Sequence, residues 1–167
     1  DHVETFKRIV EKAKEVGANA FAYQPFLKLD ENDTKIDLAH YKLNLYHLNK
    51  NLFPNHDNEV VLIASAQHDQ KLKWNNEKLL LKENSFLRLK LEPSVVYSLS
   101  TKNLFGSTIK LSYSENQKIQ YFLISAFNVK SDKSGVGGLN LKSGDIISID
   151  RSFGDFLMLV LQNNDIQ

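Results

Sequence analysis

The spacing of apolar residues changes from a helical to a strand period near residue 17. Residues 2–16 carry apolar side chains at helical spacing, which predicts a helix. Gly17 follows at the position where a helix C-cap favours a residue with positive φ. Residues 18–29 alternate with a period of two, and one face consists of small residues. We expect the preceding helix to pack closely on that face, formed by Ala18, Ala20 and Ala22.

A second strand is predicted within residues 36–48, where Tyr41, Leu43 and Leu45 alternate with polar residues. Asparagines around Pro54 then mark a break in the chain. The sequence therefore predicts that residues 1–50 form a helix plus a strand pair.

Short apolar segments separated by turn signals follow from Glu59 to the end of the chain. Asn75-Asn76 predicts a tight hairpin turn, since Asn tolerates positive φ. Residues 156–162, FLMLVLQ, are interpreted as the last strand. Strands spaced in this way predict an antiparallel sandwich or barrel. One core is expected to contain Leu87, Leu89, Leu91, Ile109, Leu111, Tyr121 and Leu123.

The fold class that follows is α+β: an N-terminal helix and small strand pair, then an antiparallel β-sandwich. Residues 1–50 and 59–167 are expected to be separate units, and one compact unit is the alternative. The chain has 167 residues, enough for one domain or two small ones. It contains no cysteine, which excludes disulfides, cysteine-ligated zinc and thiol catalysis.

The net charge is only +1, but it is unevenly distributed. Residues 30–59 contain six acids and three bases, whereas residues 70–133 contain eleven bases and five acids. Only three of the 21 basic residues are arginine, the residue that specific phosphate and base recognition favours. Nucleic acid is therefore not expected as a partner.

Six basic residues fall at positions that strand alternation assigns to outward faces: Lys71, Lys73, Arg88, Lys90, Lys110 and Lys118. If their strands are neighbours in one sheet, the six charges form a single surface that attracts anionic partners. Scattered, solvated charges on two sheets are the alternative. Trp74, the only tryptophan, is interpreted as a core residue or as an exposed platform for a sugar or lipid ring.

Four of the seven glycines lie between Gly135 and Gly144. A phosphate-binding loop, however, must lead from a strand into a helix. The residues after this loop alternate as a strand does, so residues 130–144 are predicted to form a mobile connection. Gly135, Gly137 and Gly138 are its flexible positions.

The sequence shows no recognisable catalytic or metal-binding motif. The five histidines lack a spacing that predicts a metal site. Ser107 and Lys110 match the letters of a serine-hydrolase motif, but that motif requires a helix and this pair falls on a predicted strand. No cofactor, metal or catalytic residue is assigned.

Two stretches carry a family resemblance. Residues 13–21, AKEVGANAF, resemble a helix-to-strand junction of small bacterial envelope proteins. Residues 59–125 resemble an uncharacterised family of bacterial β-domains found in lipoproteins, through a hairpin, an alternating strand and the KIQYF segment at 118–122. Ser94 departs from that family, which has Gly after the proline of the intervening turn.

The resemblance implies a non-catalytic protein of the bacterial envelope or a secreted one, and it brings no catalytic residues. We therefore expect a binding or scaffolding module, with an anionic membrane surface or another envelope protein as its partner. The alternatives are a carrier of a small ligand or lipid held between the sheets, and a hydrolase with unrecognised catalytic residues.

Overall fold

The computed structural model describes residues 2–25, 41–64, 68–101, 106–124 and 146–163. The chain divides into two compact units, residues 1–55 and residues 56–167. The predicted glycine-rich connection at 130–144 lies outside the described residues.

The first unit contains one helix and a β-hairpin. Helix α1 covers His2–Glu15, and strands β1 (Ala20–Pro25) and β2 (Tyr41–Tyr46) pair antiparallel. Gly17 has a φ of 70°, which confirms the helix end expected there. A short 3-10 turn, Lys50–Leu52, follows the hairpin.

The helix packs on the aromatic face of β1, which corrects the expectation that it covers the small face. Phe6 is buried and meets Phe21 edge to face, with 6.0 Å between the ring centroids. Ala22, on the other face of the strand, is exposed. The two phenylalanines bury more apolar surface than alanines would, and this gain decides which face the helix covers.

The second unit contains, among its described residues, nine strands and one helix. They are β3 (Glu59–Ala64), β4 (Gln70–Trp74), β5 (Glu77–Leu81), β6 (Ser85–Lys90), β7 (Val96–Thr101), β8 (Thr108–Ser112), β9 (Gln120–Ile124), β10 (Ile146–Ile149), α2 (Arg151–Val160) and β11 (Gln162–Asn163). The expected class, an α+β fold with a helix, a strand pair and an antiparallel-rich sandwich, is confirmed.

These nine strands form a five-stranded sheet of order β10-β9-β3-β6-β11 and a four-stranded sheet of order β5-β4-β7-β8. The four-stranded sheet is entirely antiparallel. The five-stranded sheet contains two parallel pairs, β3 with β9 and β6 with β11, which the sequence does not predict.

Apolar side chains from both sheets form one buried cluster, to which strands β3 to β10 contribute residues. Leu62 and Leu87 come from the five-stranded sheet, and Leu72 and Leu99 from the four-stranded sheet. Leu91 and Leu111 belong to the cluster as predicted, while Leu89 and Ile109 are partly buried against it.

Tyr121 and Leu123 do not share this cluster, so that part of the predicted core is wrong. Their neighbours Phe122 and Ile124 face the cluster instead. Tyr121 points to the opposite face of the sheet, where a Cβ on Gly154 of α2 would meet its ring. Both faces of β9 are buried and apolar, so alternation alone does not identify the face that meets the other sheet.

Helix α2 replaces the strand predicted at residues 156–162. Asp150 caps its N-terminus by accepting a hydrogen bond from the Phe153 amide, at 3.1 Å. Phe156, Leu157 and Val160 are buried, and Leu159 is 52% exposed. A continuous run of Leu, Met and Phe fits a buried strand or a helix, and the preceding aspartate is the feature that favours the helix.

Candidate ligand-binding face

The hairpin of β4 and β5 fixes which side chains of these two strands share a face of the four-stranded sheet. Asn75 and Asn76 connect the strands as predicted, and Asn75 has a φ of 55°. The turn is fixed to β7 by two hydrogen bonds: the Asn75 amide donates to the Ser98 carbonyl at 2.7 Å, and the Ser98 amide donates to Asn75 Oδ1 at 2.9 Å. The two-residue turn pairs Trp74 with Glu77 and Lys73 with Lys78.

The same register continues across the sheet. Lys73 pairs with Ser100, Ser100 with Thr108, and Ser98 with Lys110. Directly paired residues lie on the same face of a sheet. The face that points away from the core, which we call the lysine face, is formed by Lys71, Lys73, Lys78, Leu80, Val96, Ser98, Ser100, Thr108, Lys110 and Ser112.

The lysine face has four positive charges and no acidic residue among its ten members. None of its four lysines forms an ion pair with a described residue. Lys73 and Lys78 are direct cross-strand partners. Like charges directly opposite each other destabilise a sheet, so this pair opposes folding.

Three of the lysines on this face were expected from the sequence, and Lys78 was not. The structure brings Lys71, Lys73 and Lys110 onto the lysine face. Lys78 belongs with them because the hairpin turn pairs it with Lys73. The predicted two-residue turn at Asn75-Asn76 already implies this pairing, so the sequence contained the signal for Lys78.

The condition for a single surface of six charges is not met, because the basic residues lie on two sheets, as in the alternative. Arg88 and Lys90 lie on β6 of the five-stranded sheet, and Lys118 precedes β9 of the same sheet. Two of these three have acidic neighbours. Arg88 Nε lies 3.4 Å from Glu59 Oε2, and Lys118 Nζ lies 2.8 Å from Asp57 Oδ1.

Trp74 lies on the opposite face of the four-stranded sheet from the lysines. It is half-buried against the cluster between the sheets and stacks on Tyr97, with 4.9 Å between ring centroids and 25° between planes. Of the two interpretations of this tryptophan, the structure favours the core residue. Trp74 does not contribute to the lysine face.

A second polar group lies where α2 covers the five-stranded sheet. The Tyr121 hydroxyl donates a hydrogen bond to Asp155 Oδ1, and Arg151 Nε lies 3.5 Å from Asp155 Oδ2. Burial raises the pKa of Tyr121 above its usual value, and the hydrogen bond to Asp155 raises it further. The phenol therefore stays protonated to a higher pH than an exposed tyrosine would, and its hydrogen bond joins α2 to β9.

Two of the described histidines form isolated contacts. His56 Nδ1 lies 3.3 Å from Glu59 Oε1, and His47 Nδ1 lies 2.9 Å from the Gly17 carbonyl oxygen. Within residues 2–25, 41–64, 68–101, 106–124 and 146–163, no group of three His, Asp or Glu side chains could hold a metal ion. Gly135, Gly137 and Gly138 lie outside these ranges.

No protein-family model, curated protein or solved structure matches this chain. The resemblance of residues 59–125 to envelope β-domains therefore stays a prediction. None of the helices described is both long and apolar enough to span a membrane.

Proposed function

We propose that the protein is a non-enzymatic binding module of the bacterial envelope or the secreted space, and that its lysine face holds a polyanionic partner. The observation that carries the proposal is the set of four lysines on one sheet face without an acidic counterpart. The resemblance at residues 13–21 and 59–125 supports the location.

The cross-strand pair of Lys73 and Lys78 supports the proposal that the lysine face binds an anion. A like-charged cross-strand pair costs stability, by analogy with other cross-strand pairs about 0.2–1 kcal/mol. An anion placed between the two ammonium groups reverses this cost. Ser100 and Thr108 continue the same cross-strand row and add hydroxyl donors beside the lysines.

Basic residues elsewhere on the second unit are arranged differently. Arg88 lies next to Glu59, and Lys118 pairs with Asp57. Lys82 and Lys90 are also exposed without an acidic partner among the described residues, but neither lies on the lysine face, which holds four such lysines together. Against this, Lys78 and Lys110 lie on the two edge strands, β5 and β8, where lysine also serves to prevent edge-to-edge aggregation. Lys71 and Lys73 lie on the inner strand β4, so edge protection does not explain them.

The test compares two variants with the same loss of charge. Lys73→Gln/Lys78→Gln removes two charges from the lysine face, and Lys90→Gln/Lys118→Gln removes two charges outside it. Binding to inorganic polyphosphate is measured by calorimetry at about 0.1 M and about 1 M salt, where the screening length falls from about 10 Å to about 3 Å.

We expect the wild type to bind at the lower salt and to release the polymer at the higher salt. Each lysine lost from the face should weaken binding by about 1 kcal/mol, by analogy with lysines near an anionic membrane, so the face variant loses about 30-fold. The control variant should change by less than about threefold, since its charges are more distant and partly paired. Absence of binding at about 0.1 M salt, or equal losses in both variants, would refute the proposal.

A further inference from the structure

We infer that the polyanion bound by the lysine face is an anionic lipid bilayer, an inference that rests on the proposed function. The starting observation is that two large apolar side chains lie on the same face as the lysines. Leu80 is 46% exposed and Val96 is 62% exposed. Strand register places Leu80 beside Lys71 and Val96 beside Ser112, at diagonally opposite corners of the face.

Exposed apolar side chains are concentrated at this sheet. Among the described residues of 56–167, four large apolar side chains are exposed: Leu80, Val96, Tyr113 and Leu159. Tyr113 is 40% exposed and directly follows Ser112, the partner of Val96. Two of the four therefore lie on the lysine face, while Tyr113 lies just beyond the end of β8 and Leu159 lies on α2.

This combination distinguishes a bilayer from a polyanion in solution. A charged polymer offers the lysines counter-charges but gives Leu80 and Val96 nothing apolar to contact. An anionic bilayer has negative headgroups at its surface and acyl chains a few ångströms below. The lysines can therefore contact headgroups while Leu80 and Val96 contact acyl chains.

The kind of cation and the size of the face agree with this partner. The lysine face contains no arginine, whose planar fork recognises single phosphates bidentately, and lysine acts instead as a point charge. The face spans four strands, or about 14 Å, and its apolar corners are separated by about six residues along the strands, or about 20 Å. Its charges are therefore spread over an area that contacts several headgroups at once.

The experiment separates the apolar contribution from the charges. Leu80→Ser/Val96→Ser keeps all four lysines, and Leu159→Ser is the matched control, since it removes an exposed leucine from α2. Co-sedimentation is measured with vesicles of equal parts phosphatidylglycerol and phosphatidylcholine, with vesicles of phosphatidylcholine alone, and binding to inorganic polyphosphate is measured in parallel.

We expect the wild type to pellet with the anionic vesicles and not with the neutral ones. The Leu80→Ser/Val96→Ser variant should lose about tenfold in vesicle affinity, because two apolar side chains no longer enter the bilayer, and should bind polyphosphate as the wild type does. Lys73→Gln/Lys78→Gln should lose affinity for both partners, and Leu159→Ser for neither. If the double serine variant fails to fold, Val96→Ser alone should lose about threefold.

Polyphosphate binding without vesicle binding, or vesicle binding that Leu80→Ser/Val96→Ser leaves unchanged, would overturn the inference and leave the proposed function standing. Absence of binding to either anionic partner would overturn both.

Discussion

Replacing Gly154 by alanine should destabilise the second unit, although the same change in an ordinary helix stabilises. Gly154 lies in α2, and its backbone lies against the ring of Tyr121. A Cβ at this position would come within 2.7 Å of Tyr121 Cδ2 and closer still to Cγ and Cδ1. Since real Cβ atoms do not approach so near, either the helix or the ring must move.

The expected magnitude follows from three contributions. Gly to Ala in a helix interior normally gains about 1 kcal/mol. Forcing an additional methyl group into a packed interface costs about 1–3 kcal/mol. Moving the ring also breaks the hydrogen bond from Tyr121 to Asp155, and bonds to charged groups contribute about 1.5–3 kcal/mol. Because Asp155 is 40% exposed and water replaces part of that bond, we expect a net loss of about 2 kcal/mol.

Urea unfolding followed by fluorescence measures this loss, because the single tryptophan, Trp74, lies in the second unit. Ser152→Ala, at an exposed position of the same helix, is the control and should change stability by less than about 0.5 kcal/mol. In a Tyr121→Leu background, which opens space beside the helix, Gly154→Ala should become neutral or stabilising. A stabilising effect of Gly154→Ala in the wild-type background would show that the close approach to Tyr121 does not limit this position.

Two further predictions concern the core and the buried phenol. Leu62 has 0% exposure, so Leu62→Ala should lower the unfolding free energy measured in urea by about 2–5 kcal/mol. Leu89 is half-buried, so Leu89→Ala should lower it by only about 1–2 kcal/mol. Equal losses in the two variants would contradict the assigned burial. Because the pKa of Tyr121 is raised, the folded state keeps a proton that the unfolded state loses above about pH 10. The unfolding free energy should therefore fall by up to about 1.4 kcal/mol for each pH unit above that pH. Tyr121→Phe should reduce this dependence of the unfolding free energy on pH.

Local features of the second unit were predictable because each depends on neighbouring residues. The alternation of Leu87, Leu89 and Leu91 with charged residues identified β6, and the asparagine pair identified the β4–β5 turn. Ser94 occupies the predicted turn with a φ of 66°, a conformation in which glycine is the usual residue. The prediction of a strand at 156–162 was wrong because this apolar run has no period that distinguishes a strand from a helix.

Only the outward orientation of the lysines on the candidate site could be predicted from the sequence, not the sheet to which each basic residue belongs. Alternation correctly assigned Lys71, Lys73 and Lys110 to an exposed strand face. It cannot assign strands to sheets, since that depends on contacts between distant parts of the chain. Arg88 and Lys90 alternate as cleanly as the lysines of β4, yet they belong to the other sheet.

The parallel pairing of β3 with β9 also has a consequence for the protein while it is being synthesised. Val60 pairs with Gln120, so β3 leaves the ribosome 60 residues before its partner exists. At about 5–20 residues per second, this delay lasts about 3–12 seconds. During that time the edge of β3 that will pair with β9 has no partner. The Val60–Ala64 segment of this strand is wholly buried in the finished fold, and an unpaired edge of this kind readily pairs with other chains. A nascent chain halted before residue 120 should therefore depend on a chaperone to stay unaggregated, whereas the completed chain closes this edge itself.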